Sequence, residues 1–296
     1  MQANYFATHR LVRSIRFING PICFTLLLSF FFLLQGFRSS AQGGDQKPVF
    51  FSVTYIKVHP DKDAQYRELL KKYGKKINEY FYKNGMILGW YMHEVVMPSG
   101  AAAEYDYAAV NVSTDFKSLV DDSISIRAVF KKVFPGVTDR MFDSISNQYQ
   151  RARTVVKREI FESLADLNMN PATPPSKYVS LDFMKTMPGK EDDYEKMEKD
   201  TWLPIHKERV SMGVINDWGL YGKIMPSGAK EEYNYVTGQF FNDVSAMVNP
   251  KYMEAFKKAW PGKEAGKFLQ DTESTRTLVK NELWLVLDYV DASNMK

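Results

Sequence analysis

The chain has 296 residues, with 39 Lys and Arg against 35 Asp and Glu, four His, one Cys and 14% aromatic side chains. The first 41 residues hold four arginines and no acid, so removing four from 39 leaves 35 basic groups facing 35 acidic ones. A field that gathers phosphate backbones or anionic lipid is absent from that remainder, which excludes nucleic acid as an expected partner. Cys23 is also in this segment, so disulfides, thiolate nucleophiles and cysteine metal ligands are excluded from the rest.

Arg10, Arg13 and Arg16 precede an apolar run from Ile22 to Leu34, and Ser39, Ser40 and Ala41 follow it. This is the pattern of an export signal cut before Gln42. The run is shorter than the roughly 20 apolar residues of a membrane span. The expectation is an exported protein, periplasmic or extracellular, with no membrane span after cleavage; an uncleaved N-terminal anchor is the alternative. Cys23 stands at the start of the apolar run and not after it, the wrong place for a lipidated cysteine.

Phe50 to Val58 is dense in aromatic and β-branched residues and predicts a strand, with Val53 and Tyr55 alternating with Ser52 and Thr54. From Asp61 the period changes: Tyr66, Leu69, Tyr73, Ile77 and Tyr80 fall three or four apart until Gly85, which predicts an amphipathic helix of about six turns. Met86 to Met97 and Glu104 to Val112 predict two strands in a hairpin, reversed at Pro98-Ser99-Gly100. Asp115 to Phe134 predicts a helix stopped by Pro135 and Gly136, Thr138 to Arg151 a further helical stretch, and Arg153 to Phe161 a closing strand.

The whole pattern then repeats. Met97-Pro98-Ser99-Gly100 returns as Met225-Pro226-Ser227-Gly228, an offset of 128 that also relates Trp90 to Trp218, Gly85 to Gly213, Tyr66 to Tyr194 and Lys57 to Lys185. The closing strands, Arg153 to Glu159 and Arg276 to Glu282, match at an offset of 123. Residues 49–165 are thus a first repeat, 166–176 a linker carrying Pro171, Pro174 and Pro175, and 177–291 a second repeat. Each repeat reads β-α-β-β-α-β, a ferredoxin-like unit of the α+β class with helices on one sheet face. The duplication supplies the cover for the other face: two sheets from one chain, packed face to face or joined at their edges, as an intramolecular pseudo-dimeric α/β barrel that needs no second copy.

Lys185, Pro188, Gly189, Lys190, Glu191 and Tyr194 form a strand-to-helix phrase that resembles the one in the dimeric α/β-barrel superfamily, which includes antibiotic-biosynthesis monooxygenases and NIPSNAP-like proteins. Half one keeps Lys57, Pro60, Lys62 and Tyr66 but has Asp61 where the phrase has glycine. The resemblance implies a barrel between two sheets and a pocket beside each sheet. It carries over no catalytic residue.

The candidate ligand-binding residues are Trp202, His206 and Arg209, four and three apart and hence on one helix face, with Trp218 and Tyr221 on the following strand. Half one has Gly74, Asn78 and Phe81 at the helix positions, so any ligand site is expected in half two. Pro204 predicts a kink or a helix restart beside His206. His206 reads in three ways: a satisfied core histidine, a ligand-binding or proton-transfer group, or a haem ligand. Lys157, Glu159, Lys280 and Glu282 alternate with apolar residues on the closing strands, as pairs inside the barrel or as a solvated edge. The acids Glu191, Asp192 and Asp193 read as a helix-start charge run and not as a metal site.

Three functions remain open. One is an exported barrel binding a small apolar or aromatic molecule, with oxygenase-like or isomerase-like activity; another is a non-catalytic structural or interaction module of the cell envelope; the third is a haem-binding protein. A cavity beside His206 would favour the first.

Overall fold

Period-two alternation of apolar side chains produces eight strands, and the helical stripes cover them on one side. The computed structural model describes residues 47–121, 123–167 and 172–295. The leader expected over 1–41, its cleavage point before Gln42 and part of the 166–176 linker lie outside the described residues. Half one runs β1 (Phe50–Val58), α1 (Asp63–Leu69, a π-helical turn Leu70–Gly74, then Lys75–Lys83), β2 (Gly89–Met97), β3 (Tyr107–Ser113), α2 (Phe116–Val120), α3 (Ile126–Val133), α4 (Asp139–Ala152) and β4 (Arg153–Asp166). Half two repeats it as β5 (Tyr178–Thr186), α5 (Glu191–Met197, a π-helical turn Glu198–Trp202, then Leu203–Ser211), β6 (Asp217–Met225), β7 (Tyr235–Phe241), α6 (Ser245–Val248), α7 (Tyr252–Ala259), α8 (Ala265–Thr275) and β8 (Arg276–Val290).

The strands close into one antiparallel barrel in the order β1-β3-β2-β8-β5-β7-β6-β4. Each half contributes four neighbouring strands, and the halves meet at two seams, β2 with β8 and β4 with β6. Of the two arrangements open from the sequence, the sheets therefore join at their edges. Closure removes the free edges that either four-stranded sheet would expose. Both first strands slip register against their closing strand at the same point, Tyr55/Ile56 and Phe183/Met184, a bulge that bends the sheet.

Alternate residues face a lumen and an outer layer. Val53, Tyr55, Phe161, Val179, Leu181, Phe183 and Trp284 fill the lumen from both halves. On the outside of half one, Ile56, Trp90 and Met92 pack beneath Tyr66 and Leu69 of α1; in half two, Met184, Trp218 and Leu220 pack with Tyr194 of α5.

Three local expectations change. The Pro-Ser-Gly reversal is a longer connection, because strand pairing between β2 and β3 ends at Glu94 and Tyr107. Tyr105 and Tyr233 leave the strand there and turn into the lumen, where burial of their rings outweighs further pairing. The helix expected from Asp115 is broken into α2 and α3, with Ser125 capping α3 through Ala128 N–H; its half-two counterpart breaks at Pro250 and Lys251, whose φ is +51°. The first helix does restart at Leu203, with Pro204 in its first turn, but the π-helical turn before it occurs in both halves. Proline is therefore not its cause. Gly189 has φ +74° and Asp61 has φ +60°, so the glycine of the strand-to-helix phrase serves a left-handed position that half one fills with an aspartate.

Candidate functional site

The helical spacing of Trp202, His206 and Arg209 places them together between α5 and the outer face of the half-two sheet. His206 is buried with its ring stacked on Trp218, centroids 4.9 Å apart and planes 12° from parallel. Trp202 lies at 6.2 Å and Tyr252 meets the imidazole edge-on at 5.9 Å. Arg209, 1% exposed, donates through Nη1 to His206 Nδ1 (3.2 Å) and Gln239 Oε1 (2.7 Å) and through Nε to the Pro250 carbonyl (2.9 Å). Its guanidinium sits 4.0 Å from the centre of the Tyr252 ring. Burial, and then the neighbouring Arg209 charge, hold the His206 pKa well below the ordinary imidazole value, so the ring is neutral.

Haem ligation would need a free lone pair on that neutral ring. Arg209 can only donate, so Nδ1 is the acceptor and the proton is on Nε2. Neither nitrogen then offers a lone pair to iron, and one ring face is covered by Trp218. His206 as packed does not fit haem ligation. Among the described residues, no group of three or more His, Cys, Asp and Glu is placed to hold a metal ion.

Tyr221, the fifth expected residue, is on the other side of the sheet. Successive side chains of β6 alternate, so Trp218 faces the helices and Tyr221 the lumen, edge-on to Phe51 at 5.0 Å. His93, its half-one counterpart, is likewise luminal, 5.5 Å from Trp284, with Nδ1 unpartnered and its pKa pushed down to about 4 by burial.

Sequence reasoning missed Glu198 and gave Asp182, on the mixed face of its strand, no part in the half-two layer. Glu198 is 4% exposed, and burial pushes its carboxyl up to about 7, against the lowering influence of Arg276 and Tyr194. The Tyr194 hydroxyl lies beside this carboxyl without forming a hydrogen bond of good geometry, and Arg276 Nε is also buried and unpartnered. Asp182, raised by burial, accepts from Asn281 (2.5 Å) and from Gln239 (3.5 Å). The signal was available: Leu70 and Thr54 stand in half one where Glu198 and Asp182 stand in half two.

The alternating charges of the closing strands are luminal and paired. Glu282 accepts from Tyr105 (2.6 Å), Trp284 (2.8 Å) and Lys280 (2.9 Å). Glu159 accepts from Tyr233 (2.5 Å) and Lys223 (3.3 Å). Lys157 lies over the rings of Tyr55, Tyr105 and Tyr233.

A groove of about 680 Å³ opens on the outside of half two. Both repeated phrases meet there: Lys185, Pro188, Gly189 and Glu191 form one wall, and Ser227 and Gly228 another. Glu195, Tyr235, Gly222, Leu164 and Glu162 complete it. Tyr235 donates to Glu195 (2.9 Å) and packs edge-on against Tyr194 at 5.0 Å, so the groove wall and the buried Glu198 layer share an aromatic partition. At the equivalent positions of half one, Arg67 pairs with Glu94 (3.0 Å).

No protein-family model matches the sequence, and no curated protein matches it. Solved structures do. A protein provisionally assigned as a monooxygenase from Fusobacterium nucleatum is 11% identical, with 84% of this chain and 96% of that chain covered at a TM-score of 0.50. A chlorite dismutase variant from Candidatus Nitrospira defluvii is 8% identical over 81% of this chain and 91% of that one, TM-score 0.46. A haem-binding protein from Thermus thermophilus is 11% identical over 82% and 92%, TM-score 0.42. At these identities the likeness is one of fold. The fold is the dimeric α/β barrel, built here from two ferredoxin-like repeats of one chain.

Proposed function

We propose that the protein is an exported, monomeric barrel that binds a small molecule in half two, with isomerase-like proton transfer as the chemistry its buried groups supply. The observation that carries this reading is the groove, lined in half two by Gly222, Tyr235, Glu191 and Glu195, where the equivalent positions of half one include the Arg67–Glu94 ion pair. Its volume is in the range of small-molecule sites, about 300–1,000 Å³. Glu198, raised to about 7 by burial, stands behind Tyr194 and Tyr235 and does not itself line the groove, so a proton exchanged with a bound molecule passes through that tyrosine pair.

Native mass spectrometry of the envelope form tests the proposal. A mature chain beginning at Gln42, monomeric and carrying a small molecule that Gly222→Glu displaces, is the expected result. Retention of residues 1–41 would instead mark an anchor. A wild-type chain that carries no small molecule, and whose groove takes up none of a fragment library, overturns the binding reading. The rival, a non-catalytic envelope module, is favoured by the closed packing around His206; it predicts that second outcome.

A further inference from the structure

Half one holds its own occupant where half two is open. Arg67 is bonded to Asp63 (2.8 Å) and Glu94 (3.0 Å), and its guanidinium lies 5.3 Å from the centre of the Tyr107 ring. Tyr107 in turn donates to Asp63. Two acids and an aromatic face thus surround one planar cation, the arrangement that suits a guanidinium.

At the offset of 128, half two has Glu191 for Asp63, Tyr235 for Tyr107, Gly222 for Glu94 and Glu195 for Arg67. The acid lost at Gly222 returns on the same rung of the barrel. Glu94 of β2 pairs with Leu285 of β8, and Gly222 of β6 pairs with Glu162 of β4, the residue equivalent to Leu285 at the closing-strand offset of 123. The acids and the ring that hold a guanidinium are therefore kept. The guanidinium is gone, and a further carboxylate stands in its position.

Of the neighbouring lysines among the described residues, only Lys199 pairs with one of these carboxylates, Glu195, and the others are bound elsewhere. Lys223 is bound to Glu159 (3.3 Å) and Glu231 (2.8 Å), and Lys185 donates to the Glu231 carbonyl (2.8 Å). Lys199 meets Glu195 at 2.9 Å, Tyr235 donates to that same carboxylate, and Thr186 reaches Glu191 at 3.4 Å. Half two carries three groove carboxylates around its tyrosine, where half one carries two and an arginine. Each acid lines the same groove, and Gly222 makes room for Leu164 in its wall: a Cβ there would come within 2.9 Å of the Leu164 side chain.

We propose that the half-two groove takes an organic cation, a guanidinium, amidine or amine on a small apolar or aromatic body. The head lies among Glu162, Glu191 and Glu195 and over the Tyr235 ring, as the Arg67 head lies in half one, and the body lies along Leu164 and Pro188. This rests on the reading that the ligand site is in half two, and it names the ligand class.

Benzamidine, neutral benzamide and anionic benzoate are the probes, titrated against the mature chain by ligand-observed NMR. Benzamidine should bind about tenfold or more tightly than benzamide, and benzoate not at all. Its affinity should fall several-fold with Glu162→Gln and in about 0.5 M salt. The double variant Gly222→Glu, Glu195→Arg rebuilds the half-one ion pair and should lose benzamidine; Gly222→Ala, which makes the same Cβ contact with Leu164, should match its melting temperature yet keep benzamidine, which separates a filled groove from a misfolded one. Equal binding of benzamide and benzamidine, both lost in the double variant, overturns the cation class and leaves the half-two site standing. Benzamidine binding that survives the double variant, or no benzamidine binding to the wild-type chain, also overturns it. A natural ligand displaced by Gly222→Glu would still support the half-two reading in that last case.

Discussion

The imidazole of His206 lies flat on the indole of Trp218, ring centroids 4.9 Å apart, with its Nδ1 accepting from Arg209. The stack makes His206 a packing residue of the half-two layer as well as a candidate site residue, and it changes what its removal should do. His206→Ala leaves a void on the indole and takes away one of Arg209's acceptors, with an expected loss of about 2–3 kcal/mol. Asn78→Ala, at the same place in half one, removes a bond from Nδ2 to the Gly74 carbonyl and should cost less than about 1 kcal/mol. Thermal melts of the two variants check this; a His206→Ala melt as mild as that of Asn78→Ala would remove the argument. Because the folded pKa of His206 is depressed, the unfolded chain takes the extra proton. Stability should be full above about pH 6.5 and fall as the pH drops below it, less steeply in His206→Ala.

Glu198 acts in the opposite sense. Its folded pKa, about 7 against an ordinary 4.5, makes the folded chain the better proton binder between those values, so its contribution to stability is lost as the pH rises through 7. Glu198→Leu restores the residue that half one has at Leu70. At pH 8 it should stabilise the chain by about 2–3 kcal/mol while removing any proton-transfer activity. Denaturant titrations at pH 5 and pH 8 give the comparison. A variant less stable than wild type at pH 8 would make Glu198 a structural acid.

The luminal carboxylates are integral to the core. Glu159→Ala would leave the buried Tyr233 hydroxyl without its acceptor, and Lys223, whose side chain is 2% exposed, with its Glu231 partner but without its Glu159 contact. A loss of about 2–3 kcal/mol is expected from the unsatisfied buried hydroxyl and the lost charged contact. Replacing the exposed Lys190, bound to Asp193 on the surface, should change stability by less than about 1 kcal/mol. Chemical denaturation ranks the two, and similar losses would show that the lumen is solvated.

A fragment of residues 42–166 would contain β1 to β4 with both seam strands, β2 and β4, unpaired. It should dimerise through those edges into a barrel of two copies, or aggregate. Light scattering after size exclusion distinguishes these from a soluble monomer, which would contradict the need for the second repeat.

The duplication, the order of elements and the half that carries unusual side chains were all legible in the sequence, because the offsets of 128 and 123 and the periods of the apolar stripes are local properties of the chain. Period alone also put Trp202, His206 and Arg209 on one helix face. What required tertiary structure was every relation across the sheet. Edge-to-edge closure at β2–β8 and β4–β6 decided that Glu159 and Glu282 are buried partners of tyrosines and lysines. The sheet itself separated Tyr221 from Trp218, since one strand shows alternate residues to two compartments. Glu198 could not be told from a solvated helix acid until its turn was placed against β5 and β8. The groove is lined by Gly222 and, across a strand pair, by Glu162, residues 60 positions apart that only closure of the barrel brings together.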